Sequence, residues 1–180
     1  MPGQGGITMP RLAFRWTVTI NAPVEQVFSY LRDPENMWHD VEHDPGVELS
    51  NVKVTPDGVG TTIQVAFPLP GLKHLGITGK VTNETIELVP NRRIVVKTTP
   101  SMGRMFKFDG TWTWTFEPDN GGTKLIVEYA ELANWPVYAF DRLTEKRQDR
   151  ETNVWLAAIK TALEAPSRLS GSGANRPNQK

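Results

Sequence analysis

Two stretches of this chain carry side chains whose types and spacing can do chemistry. WHDVEHDP at 38 to 45 sets His39 and His43 four residues apart among Asp40, Glu42 and Asp44. On a helix that spacing turns two imidazoles to one side, where they can share a metal ion. Pro45-Gly46 follows at once and no HExxH pattern is present, so the stretch reads as a solvated loop and no metal is assigned. EKRQDRE at 145 to 151 sets Arg147 and Glu151 one helical turn apart. A guanidinium presents a fixed fork of donors to an anionic or enolate-like group, and a carboxylate can move a proton. Arg147 and Glu151 are therefore the candidates for a catalytic role.

The third chemical feature is a row of rings. GTWTWTFEPDNGGTKLIVEYAEL at 110 to 132 spaces Trp112, Trp114 and Phe116 two residues apart, with Thr113 and Thr115 between them. A strand sends alternate side chains to opposite faces, so the rings share one face and the threonines the other. The same parity adds Phe106, Phe108 and Gly110, and on the partner strand Leu125, Val127 and Tyr129. That surface must be covered, either by other side chains as core or by a small molecule as a pocket. Tyr129 is informative because a buried phenol needs a partner for its hydroxyl. The ligand-binding candidates are Phe106, Phe108, Trp112, Trp114, Tyr129, Phe140 and Arg147.

Other chemistries lack their signatures. No GxGxxG, Walker phosphate loop or GxSxG elbow occurs, so no cofactor is assigned. Twenty lysines and arginines balance twenty aspartates and glutamates, which leaves no overall field to draw in nucleic acid. The absence of cysteine removes disulfides, thiol nucleophiles and thiolate metal sites. The first ten residues lack the pattern of a secretory signal, and no apolar run approaches the ~20 residues of a membrane span. A cytoplasmic protein is expected, and Asn83-Glu84-Thr85 reads as a chance match to a glycosylation sequon.

The elements that must position these residues follow from periodicity and punctuation. LAFRWTVTI at 12 to 20 alternates as a first strand. In NAPVEQVFSYLRD the residues Val24, Val27, Phe28 and Leu31 fall on one helix face, with Asn21 or Ala22 as cap and Pro23 in the first turn. Asp33-Pro34 ends that helix and begins a short second one through Met37 and Trp38. Turn signals at Pro56-Asp57-Gly58, Pro90-Asn91-Arg92 and Asp119-Asn120-Gly121-Gly122 then separate six strands, near 47 to 54, 60 to 67, 76 to 88, 93 to 99, 105 to 117 and 123 to 132. A terminal helix runs from WPVYAFDRL to Leu163, ahead of Pro166. Residues 1 to 10 and 166 to 180 are Gly-, Pro- and Ser-rich and read as flexible tails around one domain at 11 to 165.

Phasing the terminal helix by Val154, Trp155, Ala158, Ile159 and Ala162 draws a line back through Glu151, Gln148, Arg147 and Thr144 to Phe140 and Val137. Its stripe turns polar in the middle. Either this stretch overhangs into water, or it roofs a partly wet cavity with Arg147 and Glu151 looking in. FPLPGLKHLG at 67 to 76 and TPSMGRMFKF at 99 to 108 are apolar loops suited either to be lids or to close the core.

The order of one strand, two helices, six strands and a long helix, carried by TVTINAPVEQVFSYLRDPENMW, GTWTWTFEPDNGGTKLIVEY and the helix after WPVYAF, resembles the START-like (SRPBCC) superfamily of polyketide cyclases, dehydrases and lipid carriers. The resemblance spans roughly residues 12 to 164. It implies an α+β helix-grip fold, a bent antiparallel seven-stranded sheet wrapped around the C-terminal helix, with two short helices after the first strand. It also implies a cavity for a hydrophobic or aromatic ligand, with Trp112 and Trp114 facing it. Two functions follow as expectations: binding of a lipid- or polyketide-like molecule, or a cyclase/dehydrase-type enzyme in which Arg147 and Glu151 handle protons or an enolate.

Overall fold

A computed structural model describes residues 11–42, 47–68, 78–101 and 107–165, the side chains of 39–42 excepted. The elements in chain order are β1 (Arg11–Ile20), α1 (Val24–Leu31), α2 (Pro34–Glu42), β2 (Glu48–Lys53), β3 (Thr62–Pro68), β4 (Thr78–Val89), β5 (Arg93–Pro100), β6 (Phe108–Asp119), β7 (Gly122–Ala133) and α3 (Trp135–Glu164). The seven strands form one antiparallel sheet in the order β1-β7-β6-β5-β4-β3-β2. β1 and β2 are its edges, so the sheet is open and grips α3 in the helix-grip arrangement.

Local chemistry explains the boundaries. Pro23 stands just outside α1 as its N-cap, with φ −57° and ψ 149°, and its carbonyl accepts from the amides of Gln26 and Val27. The expected capping by Asn21 or Ala22 is thus replaced by the proline itself, which needs no donor there. Asp33 opens α2 by accepting the Glu35 amide on Oδ1 at 2.9 Å. α2 runs through to Glu42, so His39 stands on a helix rather than in the expected loop. His43 and the side chain of His39 lie outside the described residues, as do His74, Phe106, most of both apolar loops and both tails. The β6–β7 hairpin turns on Asn120 and Gly121, both at positive φ (47° and 85°), the two-residue geometry that matches strand twist.

The inner face of the sheet carries the core. Trp16, Trp114, Phe116, Leu125 and Val127 pack there against Phe28 and Leu31 of α1, Trp38 of α2 and Trp155, Ile159 and Leu163 of α3. A second, smaller cluster of Val47, Val65 and Val81, with Phe67 and Phe108 against it, adjoins the first through Leu49. α3 is 30 residues long, roughly 45 Å at 1.5 Å per residue. Its C-terminal half is locked in place, with Trp155 Nε1 donating to the Met37 carbonyl at 3.1 Å. Its N-terminal half buries only Val137, while Asp141, Thr144 and Gln148 are half-buried.

Candidate functional site

The strand ladders bring one row of inner-face positions into line. Asn83 on β4 stands opposite Thr98 on β5, Thr98 opposite Gly110 on β6, Gly110 opposite Glu131 on β7, and Glu131 opposite Leu12 on β1. Three of these are polar and almost sealed from solvent: Asn83 is 3%, Thr98 5% and Glu131 5% exposed. Thr98 Oγ1 donates to Asn83 Oδ1 at 2.6 Å. Buried polar groups are costly unless satisfied, so a polar row between two apolar clusters demands partners.

Glycine at position 110 makes the centre of the row possible. A Cβ there would lie 2.6 Å from Tyr129 Oη, so the absent methyl is what lets the phenol lie over β6. Tyr129 donates to Glu131 Oε2, its neighbour but one on β7. From the other side α3 lowers Asp141 and Gln148. Gln148 Nε2 donates to Asp141 Oδ1 at 2.9 Å and to Thr144 Oγ1 at 3.1 Å.

This setting alters the acids. Burial pushes Glu131 up to about 8, and the neighbouring Asp141 carboxylate pushes the same way, against a lowering hydrogen bond from Tyr129. Burial also raises Asp141, whose hydrogen bonds from Glu131 and Gln148 pull it down. The contact between the two carboxyls therefore raises Glu131 and lowers Asp141, which makes Glu131 the proton holder at neutral pH. Tyr129 is raised well above the usual phenol value, by burial first and the Glu131 charge second. Glu131 Oε1 meets no hydrogen-bond donor among the described residues.

Rings adjoin the acids. Tyr129 lies 4.5 Å from Trp112 and 6.5 Å from Phe14, ring centre to ring centre, and Phe14 stacks on Trp16 at 5.7 Å. Phe14, Trp112, Tyr129 and Phe108 are half-buried, whereas Trp16, Trp114 and Phe116 are buried. The aromatic face is buried at its Phe116 end and half-buried toward Phe108. Trp114 is fully enclosed, edge-on to Trp155 at 5.1 Å, and sits in the floor of the face.

The sequence-derived candidates divide. Phe108, Trp112, Trp114 and Tyr129 share the inner face as their parity required. Phe140 is 38% exposed, and Arg147 pairs with Glu151 at 2.5 Å with both side chains half-exposed. The inward line of α3 passes instead through Val137, Asp141, Thr144, Gln148, Thr152, Leu156, Ile159 and Leu163. Val154, used to phase the helix, is 65% exposed. Sequence reasoning placed Thr144 and Gln148 correctly and missed Asp141 and Glu131. Glu131 had a signal, since it continues the parity of Tyr129 by one further step. Asn83, the sequon residue, is buried in the row and closed to a glycosylating enzyme.

An open depression of about 350 Å³ is bordered by the outer-face residues Arg11, Arg15, Thr111, Thr113 and Glu128 and also touches Phe14 and Tyr129. Arg15 pairs there with Glu128 at 3.2 Å, an ordinary solvated arrangement. Among the described residues no group of histidines and acids is disposed to hold a metal, and no helix is long and apolar enough to cross a membrane.

Solved structures share this architecture. An aromatase/cyclase, Zhui, from Streptomyces sp. R1128 superposes with TM-score 0.60 at 17% identity, covering 87% of this chain and 98% of its own. Truncated norcoclaurine synthase from Thalictrum flavum gives 0.62 at 14% identity, covering 91% and 99%. Protein CV1439 from Chromobacterium violaceum gives 0.63 at 18% identity, covering 86% and 98%. At such identities the likeness is one of fold. No curated protein matches the chain by sequence. The family profile described as polyketide cyclase / dehydrase and lipid transport matches residues 11–164, nearly the whole of the described fold, and the chain therefore belongs to that family within the START-like superfamily.

Proposed function

We propose that the inner face binds a hydrophobic or aromatic small molecule, of lipid- or polyketide-like size, between the half-buried rings and the N-terminal half of α3. The observation that carries this reading is the buried polar row, Asn83, Thr98 and Glu131, set among aromatic side chains. A plain core gains nothing from these groups. A binding site uses them to orient a ligand held mainly by apolar contact. The balanced net charge supports a small-molecule partner over nucleic acid, and the expected location is the cytoplasm.

A second reading is an enzyme of the cyclase or dehydrase type. Glu131 favours it, because a carboxyl protonated at neutral pH beside a phenol is a general acid in waiting. In a dehydration Glu131 would give its proton to a departing hydroxyl, and Asp141 would accept one from the adjacent carbon. Arg147 and Glu151 would act in that chemistry only by turning inward from their exposed pairing.

Thermal denaturation with a panel of fatty acids, flavonoids, sterols and polycyclic aromatics tests the binding reading. A ligand at a hundredfold excess over its Kd stabilises by ~2.7 kcal/mol, several degrees in Tm for a domain of this size. At least one class should produce such a rise with a change in tryptophan emission. A flat response to every class contradicts the proposal.

A further inference from the structure

We infer that the ligand of this face carries a protonated amine beside its apolar body, and that the ammonium seats between Glu131 and Asp141 against the rings of Trp112 and Tyr129. The inference rests on the binding reading above and names the ligand class for it.

Donors to the two carboxyls are few. Glu131 is 5% exposed, its Oε1 meets no donor among the described residues, and the group beside it is another acceptor, Asp141. Beyond the Tyr129 hydroxyl on Glu131 Oε2 and the Gln148 amide on Asp141 Oδ1, the described residues leave the pair one shared proton. An ammonium brings three donors and a full charge, enough to bridge both acids at once.

Charge points the same way. The charged groups acting on Tyr129 are Glu131 and Asp141, with Asp109 behind them, and none is basic. Nearby cations are engaged on the exposed side: Arg142 with Glu145 at 2.6 Å, Arg147 with Glu151 at 2.5 Å, and Lys97 with Asp109 at 3.3 Å. Trp16 Nε1 is held by Asp149 at 3.2 Å, a further acid on α3. The half-buried rings of Trp112 and Tyr129 carry negative π density, which attracts a cation. Among the described residues a ligand carboxylate would meet two acids and no base there, and is disfavoured by the same field.

Binding is then an exchange that balances. The ammonium enters with its positive charge, the proton shared by Glu131 and Asp141 leaves to the buffer, and both carboxyls end ionised around the cation. No bond to carbon is made or broken.

Isothermal titration of the full chain at pH 7 with three probes sharing one indole ring tests this: tryptamine, its neutral alcohol analogue indole-3-ethanol, and the anion indole-3-propionate. Tryptamine should bind at least about tenfold more tightly than the alcohol. Repeating the titration in buffers of different ionisation enthalpy should show release of about one proton per amine bound. Glu131→Gln should lose both the preference and the proton release while still binding the alcohol. Should that variant fold poorly, Asp141→Asn reads the same two quantities. Equal binding of amine and alcohol without proton release overturns the amine inference and leaves the binding reading standing. Tightest binding of the propionate also overturns it. Binding of none of the three, together with a flat response to the broader panel, defeats both.

Discussion

Tyr129 and Glu131 stand two residues apart on the inner side of β7, and the phenol of the first donates its hydrogen bond to the carboxyl of the second. The bond helps the ionised form of Glu131, yet burial and Asp141 outweigh it and hold the carboxyl near 8. Stability should therefore depend on pH in a definite direction. Below about 4.5 both folded and unfolded chains hold the proton, and the fold bears no penalty. Between that value and about 8 the unfolded chain gives the proton up while the folded chain keeps it, so stability falls as pH rises. Asp141 is raised too and adds to the slope in the same sense. Melting curves across this range should show Tm falling in the wild type and a flatter profile for Glu131→Gln. Parallel profiles would show that Glu131 titrates as an ordinary surface acid.

Gly110 is the second test of the same arrangement. Its missing Cβ is the space the Tyr129 hydroxyl occupies, and Gly110→Ala must displace the phenol or bend β6. Overpacking of this kind costs ~1 to 3 kcal/mol. Freed from the phenol, whose bond lowers it, Glu131 should titrate higher than in the wild type when followed by carboxyl carbon NMR. An unchanged Glu131 titration would place the Tyr129 hydroxyl elsewhere.

Trp112 and Trp114 lie two residues apart on one face but differ in burial. Trp114, fully enclosed against Trp155, should cost ~3 to 5 kcal/mol when cut to alanine, the usual loss for emptying an aromatic core position. Trp112→Ala should cost less in chemical denaturation and more in ligand affinity, because its ring is half-open. The reverse order would move the site to the Phe116 end of the face.

Arg147→Met should change little. The Arg147–Glu151 pair is half-exposed, and such pairs contribute ~0 to 1 kcal/mol. Affinity for tryptamine and for indole-3-ethanol should match the wild type. A selective loss for a polar-headed ligand would return Arg147 to the site and favour the enzymatic reading.

Much of this was legible in the residues, because strands declare themselves by alternation and by the chemistry of their turns. The ring parity of Trp112, Trp114 and Tyr129, the helical stripe of Val24, Val27, Phe28 and Leu31, and the Asn120-Gly121 turn each have a local physical cause. The phase of α3 did not. Val154 and Ala162 are apolar yet exposed, while Thr152 and Asp141 take inward positions, since packing of Trp155 against α2 and the sheet fixes the rotation. Glu131 escaped notice because an acid on a buried face breaks the pattern that identifies the face. Its meaning depends on Gly110 across the ladder and Asp141 on the next element. The row from Asn83 to Glu131 is likewise a product of register, and the irregularity between Thr85 and Glu87 shifts register in a way no alternation reveals.

In the proposed function the ligand sits on the inner face, between the rings and the polar row. Intermolecular nuclear Overhauser contacts test it most directly, measured on protein labelled at tryptophan and tyrosine and saturated with a ligand from the panel. Cross-peaks are expected from ligand protons to the Trp112 indole and the Tyr129 ring, weakened by Trp112→Ala. Contacts confined to outer-face groups such as Thr111 and Thr113, with Trp112 and Tyr129 silent, would contradict it.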